Sequence, residues 1–152
     1  MKRMIVAGAV ALMCAGGAAG AKEDADLSPA EIVAARQASL GLSGVAMGSI
    51  KAALDAGAPM QSLGFSTGSL AKWATALPSM FPAGTGPDAV PGTRAKAEIW
   101  TDRAGFEAKA ADYSAATARL RDAVAAGDTA LAATEWAAVR TSCGSCHDAY
   151  RS

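Results

Sequence analysis

The chain has 152 residues, a length typical of a single domain, and 51% of them are apolar. Its 14 Lys and Arg residues balance 14 Asp and Glu residues, which argues against a nucleic-acid-binding protein, because such proteins need a basic excess. Aromatic residues make up only 5%, which is low for an all-β sandwich, and Ala, the strongest helix former, dominates the apolar fraction. The composition therefore favours an all-α fold.

Residues 1–21 have the pattern of a secretory signal peptide. Lys2 and Arg3 precede an apolar run, and small residues then lead to an Ala-Gly-Ala cleavage site. The alternative is a buried N-terminal helix or a retained anchor. Cleavage would leave an exported domain at 22–152, in which no second long apolar run predicts a membrane anchor.

The first predicted helix begins after Ser28. Ser28, Pro29 and Glu31 form a capping-box pattern with proline at the first helical position. Apolar residues then recur every seven positions, as in a bundle helix, at Val33, Leu40, Met47 and Leu54. Gly57 and Pro59 end this predicted helix.

The second predicted helix is weaker, with apolar residues at helical spacing from Leu63 to Met80. Pro78 and Pro82 bracket its end. Residues 81–93 carry three Pro and three Gly, which predicts a long ordered loop.

Two clearer helices complete the chain. The third has one heptad series at Ile99, Phe106, Tyr113 and Leu120, and Gly127 closes it. Asp128 is the expected cap of the fourth helix. One face of that helix carries Trp136, Val139, Cys143, Cys146 and Tyr150. Four helices with mostly short connections predict an antiparallel up-down-up-down four-helix bundle.

A Cys-x-x-Cys-His motif ends the fourth helix, with Cys143, Cys146 and His147 as its defining residues. Two thiols one helical turn apart can each add to a haem vinyl group, and the next residue then becomes an axial iron ligand. The alternatives are a disulfide and a redox dithiol. Cys14 lies inside the predicted signal peptide and is expected to be discarded with it. The motif predicts one covalently bound haem c per chain.

The motif lies five residues from the C-terminus, and with this placement the chain resembles the cytochrome c′ (class II cytochrome c) family. The resembling segments are Cys143 to Arg151, Arg36-Gln37 followed by Leu40, Phe81-Pro82-Ala83-Gly84-Thr85, and Glu98-Ile99-Trp100. The resemblance implies a four-helix bundle with covalently attached haem and His147 as the axial ligand.

The resemblance also implies what lies on the sixth side of the iron. Low-spin members of the family supply a Met there, four residues after the Arg of the Arg-Gln pair. This chain has Leu40, which cannot ligate, so a five-coordinate, high-spin iron is expected. Met47 on the same helix face is the competing ligand, although core packing is its ordinary role.

Further residues acquire roles from the same resemblance. Arg36 and Gln37 are predicted to face inward and to bind a haem propionate, the alternative being a surface pair. Arg151 is expected near the proximal face, where it would influence the bond between His147 and iron. Trp100 and Tyr150 are expected around the haem, with plain core packing as the alternative for each.

The resemblance makes a periplasmic protein that binds small gases such as NO and CO the first functional hypothesis, with one-electron transfer as a further capability. The alternative is a low-spin, six-coordinate electron carrier of the cytochrome c556 type with an unknown redox partner. An enzyme is not expected, because the chain has no His besides His147 to act as a distal acid or base. The family habit and the apolar Leu42 and Val45 predict a homodimer through the first two helices. No large basic patch is apparent in the sequence to mark a docking surface for an acidic partner.

Overall fold

The computed structural model describes residues 27–152, so the predicted signal peptide and Cys14 lie outside the described part of the chain. Five α-helices lie within it: α1 (Pro29–Asp55), α2 (Gly64–Ala76), α3 (Glu98–Thr101), α4 (Arg103–Ala125) and α5 (Thr129–Tyr150). The four long helices form the predicted all-α bundle, and no strand is present between residues 27 and 152.

The start of α1 confirms the capping box. The Glu31 N–H donates to the Ser28 hydroxyl (3.3 Å), and the Ser28 N–H donates to the Glu31 carboxylate (2.8 Å). These two bonds satisfy backbone donors that a helix N-terminus otherwise leaves unpaired. They explain why α1 begins at Pro29, directly after Ser28.

A single continuous third helix was the wrong expectation, because Asp102 separates α3 from α4. Asp102 has a non-helical backbone (φ −117°, ψ 55°), and its carboxylate accepts from the Gly105 N–H at 3.2 Å. Asp102 therefore acts as the N-cap of α4, a role that favours Asp over a helix interior. Asp128 caps α5 in the same way, as predicted, by accepting from the Leu131 N–H at 2.9 Å.

The bundle core forms around α4, which packs extensively against α5 and α2. Phe106, Leu120 and Val124 of α4 are buried in it. Helix α1 makes fewer contacts with α2 and α5, and its fully buried residues are Val33, Arg36 and Ile50. Within residues 27–152, no helix is both long enough and apolar enough to cross a bilayer.

Candidate cofactor site

Cys143 and Cys146 lie one turn apart near the C-terminal end of α5. Both side chains are half-buried, both pack against the main hydrophobic cluster, and neither forms a disulfide. Burial raises the pKa of both thiols. A redox dithiol relies on a lowered thiol pKa, so this environment disfavours that alternative.

His147 directly follows the second cysteine and is exposed. Its Nδ1 atom lies 3.4 Å from the terminal nitrogen Nη1 of Arg151, one turn further along the chain. Partial burial lowers the pKa of His147, as do the positive charges of Arg151 and Arg94, whereas Asp148 opposes them. A lowered pKa favours the neutral imidazole, which is the form that can bind a metal ion.

Arg36 is the one charged residue buried in α1, with only 2% of its surface exposed. Its Nη1 donates to the Met80 carbonyl (3.2 Å) and the Thr85 hydroxyl (3.1 Å). Its Nη2 donates to the Thr85 carbonyl and the Thr93 hydroxyl, both at 3.1 Å. These bonds engage all four terminal guanidinium hydrogens and attach the 81–93 loop to α1.

A series of contacts between aromatic side chains runs from the 81–93 loop to the segment with the Cys-x-x-Cys-His motif. The Arg36 guanidinium lies 4.2 Å from the Phe81 ring centroid, and Phe81 contacts both Trp100 (6.3 Å between centroids) and Phe106 (4.9 Å). Phe106 in turn meets Tyr150 edge to face at 5.5 Å. These contacts bring Trp100 and Tyr150, which are distant in sequence, into one packed series beside α5.

Two polar contacts fix the ends of this series. The Trp100 indole N–H donates to the Pro82 carbonyl (2.9 Å), and the Tyr150 hydroxyl donates to the Asp102 carboxylate (2.8 Å). Gly105 lies so close to this second pair that an added Cβ would be 2.6 Å from the Tyr150 oxygen. Only glycine fits there without displacing Tyr150.

The register between α1 and α5 follows from one hydrogen bond. The Trp136 indole N–H donates to the Met47 carbonyl at 2.9 Å. The two helices are antiparallel, so Leu40, seven residues before Met47, lies within about one helical turn of the level of Cys143, seven residues after Trp136. Leu40 is 36% exposed, and no residue of α1 between Arg36 and Ile50 is fully buried.

These features fit a c-type haem. Two thiols one turn apart border an apolar core, a neutral imidazole follows them, and the α1 face level with them carries apolar Leu40.

Burial also raises the pKa of Tyr113 to about 12, with the charge of Cys143 adding to this effect and a hydrogen bond with Ser43 opposing it. Tyr113 of α4 and Cys143 of α5 therefore lie close enough for their charges to interact.

The structure agrees with the predicted position of one residue of the Arg-Gln pair and not with that of the other. Arg36 is buried as predicted, but Gln37 is exposed rather than inward-facing, because each helical residue is rotated by about 100° from the last. The propionate role of Arg36 stays a prediction, and Nε–H is its only donor without a partner among the described residues. Thr93 and Asp102 contact predicted site residues and were not expected to do so, although Asp before a helix is a capping signal.

Replacing Arg36 with Lys is expected to destabilise the protein by about 2–4 kcal/mol. A single ammonium group cannot reach four acceptors spread over the loop, and it leaves buried oxygens such as the Thr85 carbonyl unpaired. Urea unfolding of the cofactor-loaded protein measures the effect. Arg121→Lys is the matched control, because Arg121 pairs with Asp122 on the surface and is expected to cost less than about 1 kcal/mol. Equal losses in the two variants would contradict the loop-anchoring role.

Comparison with known proteins identifies relatives in sequence and in structure. The family model described as Cytochrome C′ matches residues 31–151. A cytochrome c′ from Cereibacter sphaeroides is 44% identical over 72 residues, which cover 47% of this chain and 48% of the relative, so the match spans about half of that protein. The nitric oxide complex of a mutant cytochrome c prime from Alcaligenes xylosoxidans aligns with a TM-score of 0.73 and 28% identity, covering 82% of this chain and 96% of the other. A cytochrome c′ described as having ligand-controlled dimer dissociation aligns with a TM-score of 0.78 and 28% identity, covering 84% of this chain and 99% of the other.

Proposed function

Because the chain belongs to the cytochrome c′ family, we propose that it is a periplasmic haem c protein that binds small neutral gases. Cys143 and Cys146 would hold the haem through two thioether bonds, and His147 would ligate its iron. When bound, such a haem offers an open coordination position for a diatomic gas and a site for one-electron exchange. A solved relative is a nitric oxide complex, which supports this ligand class.

The observation that carries the proposal is the position of Leu40. Because the Trp136 indole contacts the Met47 carbonyl, Leu40 lies close to the level of the motif. Met47 itself lies eleven residues of α5, or about 16 Å along the bundle axis, from the level of His147. A thioether so far along the bundle is poorly placed to ligate the iron, whereas Leu40 has no lone pair to offer. This favours a five-coordinate iron over the six-coordinate electron carrier.

The residues at this site favour ligand binding and electron exchange rather than catalysis. A haem peroxidase needs a polar acid–base group on the open face, and His147 is the one His of the chain. The α1 position level with the motif is apolar Leu40. An apolar face of this kind admits neutral diatomics and gives anions no hydrogen bond. We therefore propose no enzymatic activity for this chain.

The visible absorption spectrum of the purified haem protein tests the proposal. We expect a broad, unsplit band in the dithionite-reduced protein, which sharpens when carbon monoxide is added, because Leu40 leaves the sixth position open. A sharp reduced α band that is indifferent to carbon monoxide would contradict the five-coordinate assignment and favour Met47 or another side chain as sixth ligand.

We also propose a homodimer through α1 and α2. Leu42 and Val45 on α1 are 68% and 66% exposed, and Phe65 at the start of α2 is 86% exposed. Large apolar side chains so exposed are typical of an association surface, and a solved relative is described as a dimer that dissociates under ligand control.

Sedimentation equilibrium at micromolar concentration is expected to give a dimer for the wild type and a monomer for the Leu42→Glu, Val45→Glu double variant. Burying these charges in an apolar interface without partners is unfavourable. Leu131→Glu on α5, where the wild-type side chain is 44% exposed, is the control and is expected to stay dimeric. A monomeric wild type would refute the dimer.

A further inference from the structure

Arg94, Lys96 and Arg151 lie together at the exposed end of the cofactor site. The backbone of 94–96 pairs with that of 150–152, through an antiparallel bridge and hydrogen bonds of 2.9 and 3.0 Å. This pairing gathers basic residues that are scattered along the sequence. We call these three residues the C-terminal basic cluster.

Each member of the C-terminal basic cluster contacts the end of α5. Arg151 approaches the His147 imidazole, Lys96 Nζ donates to the Asp148 carbonyl (3.0 Å), and Arg94 Nε donates to the main-chain oxygen of the last residue (2.8 Å). None of these contacts is an ion pair with an Asp or Glu side chain. Lys96 and Arg151 are therefore not paired with an acidic side chain, whereas Arg94 contacts Ser152, whose terminal carboxylate offsets part of its charge.

The ion pairs of the described residues all involve basic side chains outside the C-terminal basic cluster. The ion pairs of the described residues are Lys51–Asp55, Arg103–Glu107, Arg119–Glu135 and Arg121–Asp122. Lys109 and Arg140 also have no such partner within residues 27–152, and their charges lower the pKa of Cys146 and Cys143 respectively. Lys72 on α2 is the exception. Among the solvent-facing basic residues of 27–152 that have no acidic partner, it alone neither contacts the C-terminal end of the chain nor affects the pKa of a motif cysteine.

The slight acidic excess of the exported chain turns this concentration into an oriented field. Without Lys2 and Arg3 of the predicted signal peptide, 12 Lys and Arg remain against 14 Asp and Glu, so a positive surface around the motif leaves the remaining surface net negative. Such an asymmetry orients an approaching charged protein and raises its association rate. The positive end of the molecule is the one at which His147 is exposed.

We infer that the C-terminal basic cluster is the docking surface for a redox protein with an acidic face, which exchanges one electron with the haem. This inference rests on the one-electron capability in the proposed function. One electron leaves the reduced partner, which is oxidised, and reduces Fe(III) to Fe(II), or moves in the reverse direction. No bond forms or breaks, and no proton is transferred.

Adsorption of the haem protein on charged electrodes tests the docking surface. A carboxylate-terminated monolayer on gold serves as the acidic probe, and an ammonium-terminated monolayer serves as its opposite. A quartz microbalance measures the adsorbed mass, and voltammetry on the same film measures electron exchange. We expect a voltammetric wave on the carboxylate film, weakened by salt, and none on the ammonium film, where the net negative remainder of the surface adsorbs and turns the haem end away from the electrode.

Matched charge reversals locate the surface. Lys96→Glu and Lys72→Glu change the net charge equally, but only the first lies in the C-terminal basic cluster. At about 0.1 M ionic strength, Lys96→Glu is expected to lower adsorption on the carboxylate film about tenfold, and Lys72→Glu less than about twofold. Arg94→Gln, which removes a charge without adding an acid, is the second variant should Lys96→Glu fold poorly, and it is also expected to lower adsorption.

Equal effects of the two reversals, or equal voltammetric waves on both films, would overturn the docking surface. Reduction by dithionite in solution distinguishes this failure from failure of the proposed function. A haem that dithionite reduces but that gives no wave on the carboxylate film overturns the docking surface alone. A haem that dithionite does not reduce overturns the proposed electron exchange and, with it, this inference.

Discussion

The double variant Cys143→Ala, Cys146→Ala is expected to retain no haem after denaturation. The two thiols are the only cysteines between residues 27 and 152, they lie one turn apart, and both border the hydrophobic cluster. A haem held without a thioether bond is released when the bundle unfolds. Haem staining of a denaturing gel measures this as complete loss of the signal at the mass of the protein.

Three variants serve as controls for this result. Each single Cys→Ala variant is expected to retain staining, since one thioether bond remains. Ser145→Ala lies between the two cysteines on the same turn and is expected to stain like the wild type. Persistent staining of the double variant would show that haem is not attached through the motif.

Leu40→Met is expected to convert the haem to a six-coordinate, low-spin form. Leu40 lies close to the level of Cys143, so a thioether at this position is placed to reach the sixth side of the iron. Leu and Met are similar in volume, so the substitution is expected to cost little stability. If Met occupies the sixth position about 99% of the time, the apparent affinity for carbon monoxide falls about a hundredfold.

Carbon monoxide titration of the reduced protein measures the effect, together with the narrowing of the visible bands. Met47→Leu is the matched control, because it exchanges the same two side chains seven residues further along α1. We expect Met47→Leu to leave spectrum and affinity unchanged. If instead the wild type ignored carbon monoxide and Met47→Leu became able to bind it, the six-coordinate alternative would be correct.

Helix starts were predictable because their signals are local. Ser28 with Glu31, and Asp128 with the N–H three residues on, are contacts within a single turn, so they can be recognised without knowing the fold. The break at Asp102 was missed because the apolar spacing continues through it. Its carboxylate also accepts from the Tyr150 hydroxyl, a contact 48 residues away that no local pattern reveals.

The environment of Arg36 was only partly predictable. Its place on the apolar stripe of α1 predicted burial, and the structure confirms this. Its acceptors are the Met80 carbonyl and groups of Thr85 and Thr93 in the 81–93 loop, whose path depends on proline and glycine geometry and on packing against Phe81. The neighbouring Gln37 could not be placed by a seven-residue repeat, which leaves the flank of a helix ambiguous.

The sequence by itself determined the helical class and the starts of α1 and α5, and it predicted the chemistry of the site, because the Cys-x-x-Cys-His spacing, capping residues and apolar repeats act within one or two helical turns. Tertiary structure decided the register of Leu40 against Cys143, the anchoring of the loop by Arg36, and the gathering of Arg94, Lys96 and Arg151 beside His147. Those features join residues from different elements. Their geometry depends on how whole helices pack and on where the chain end pairs, which no local pattern encodes.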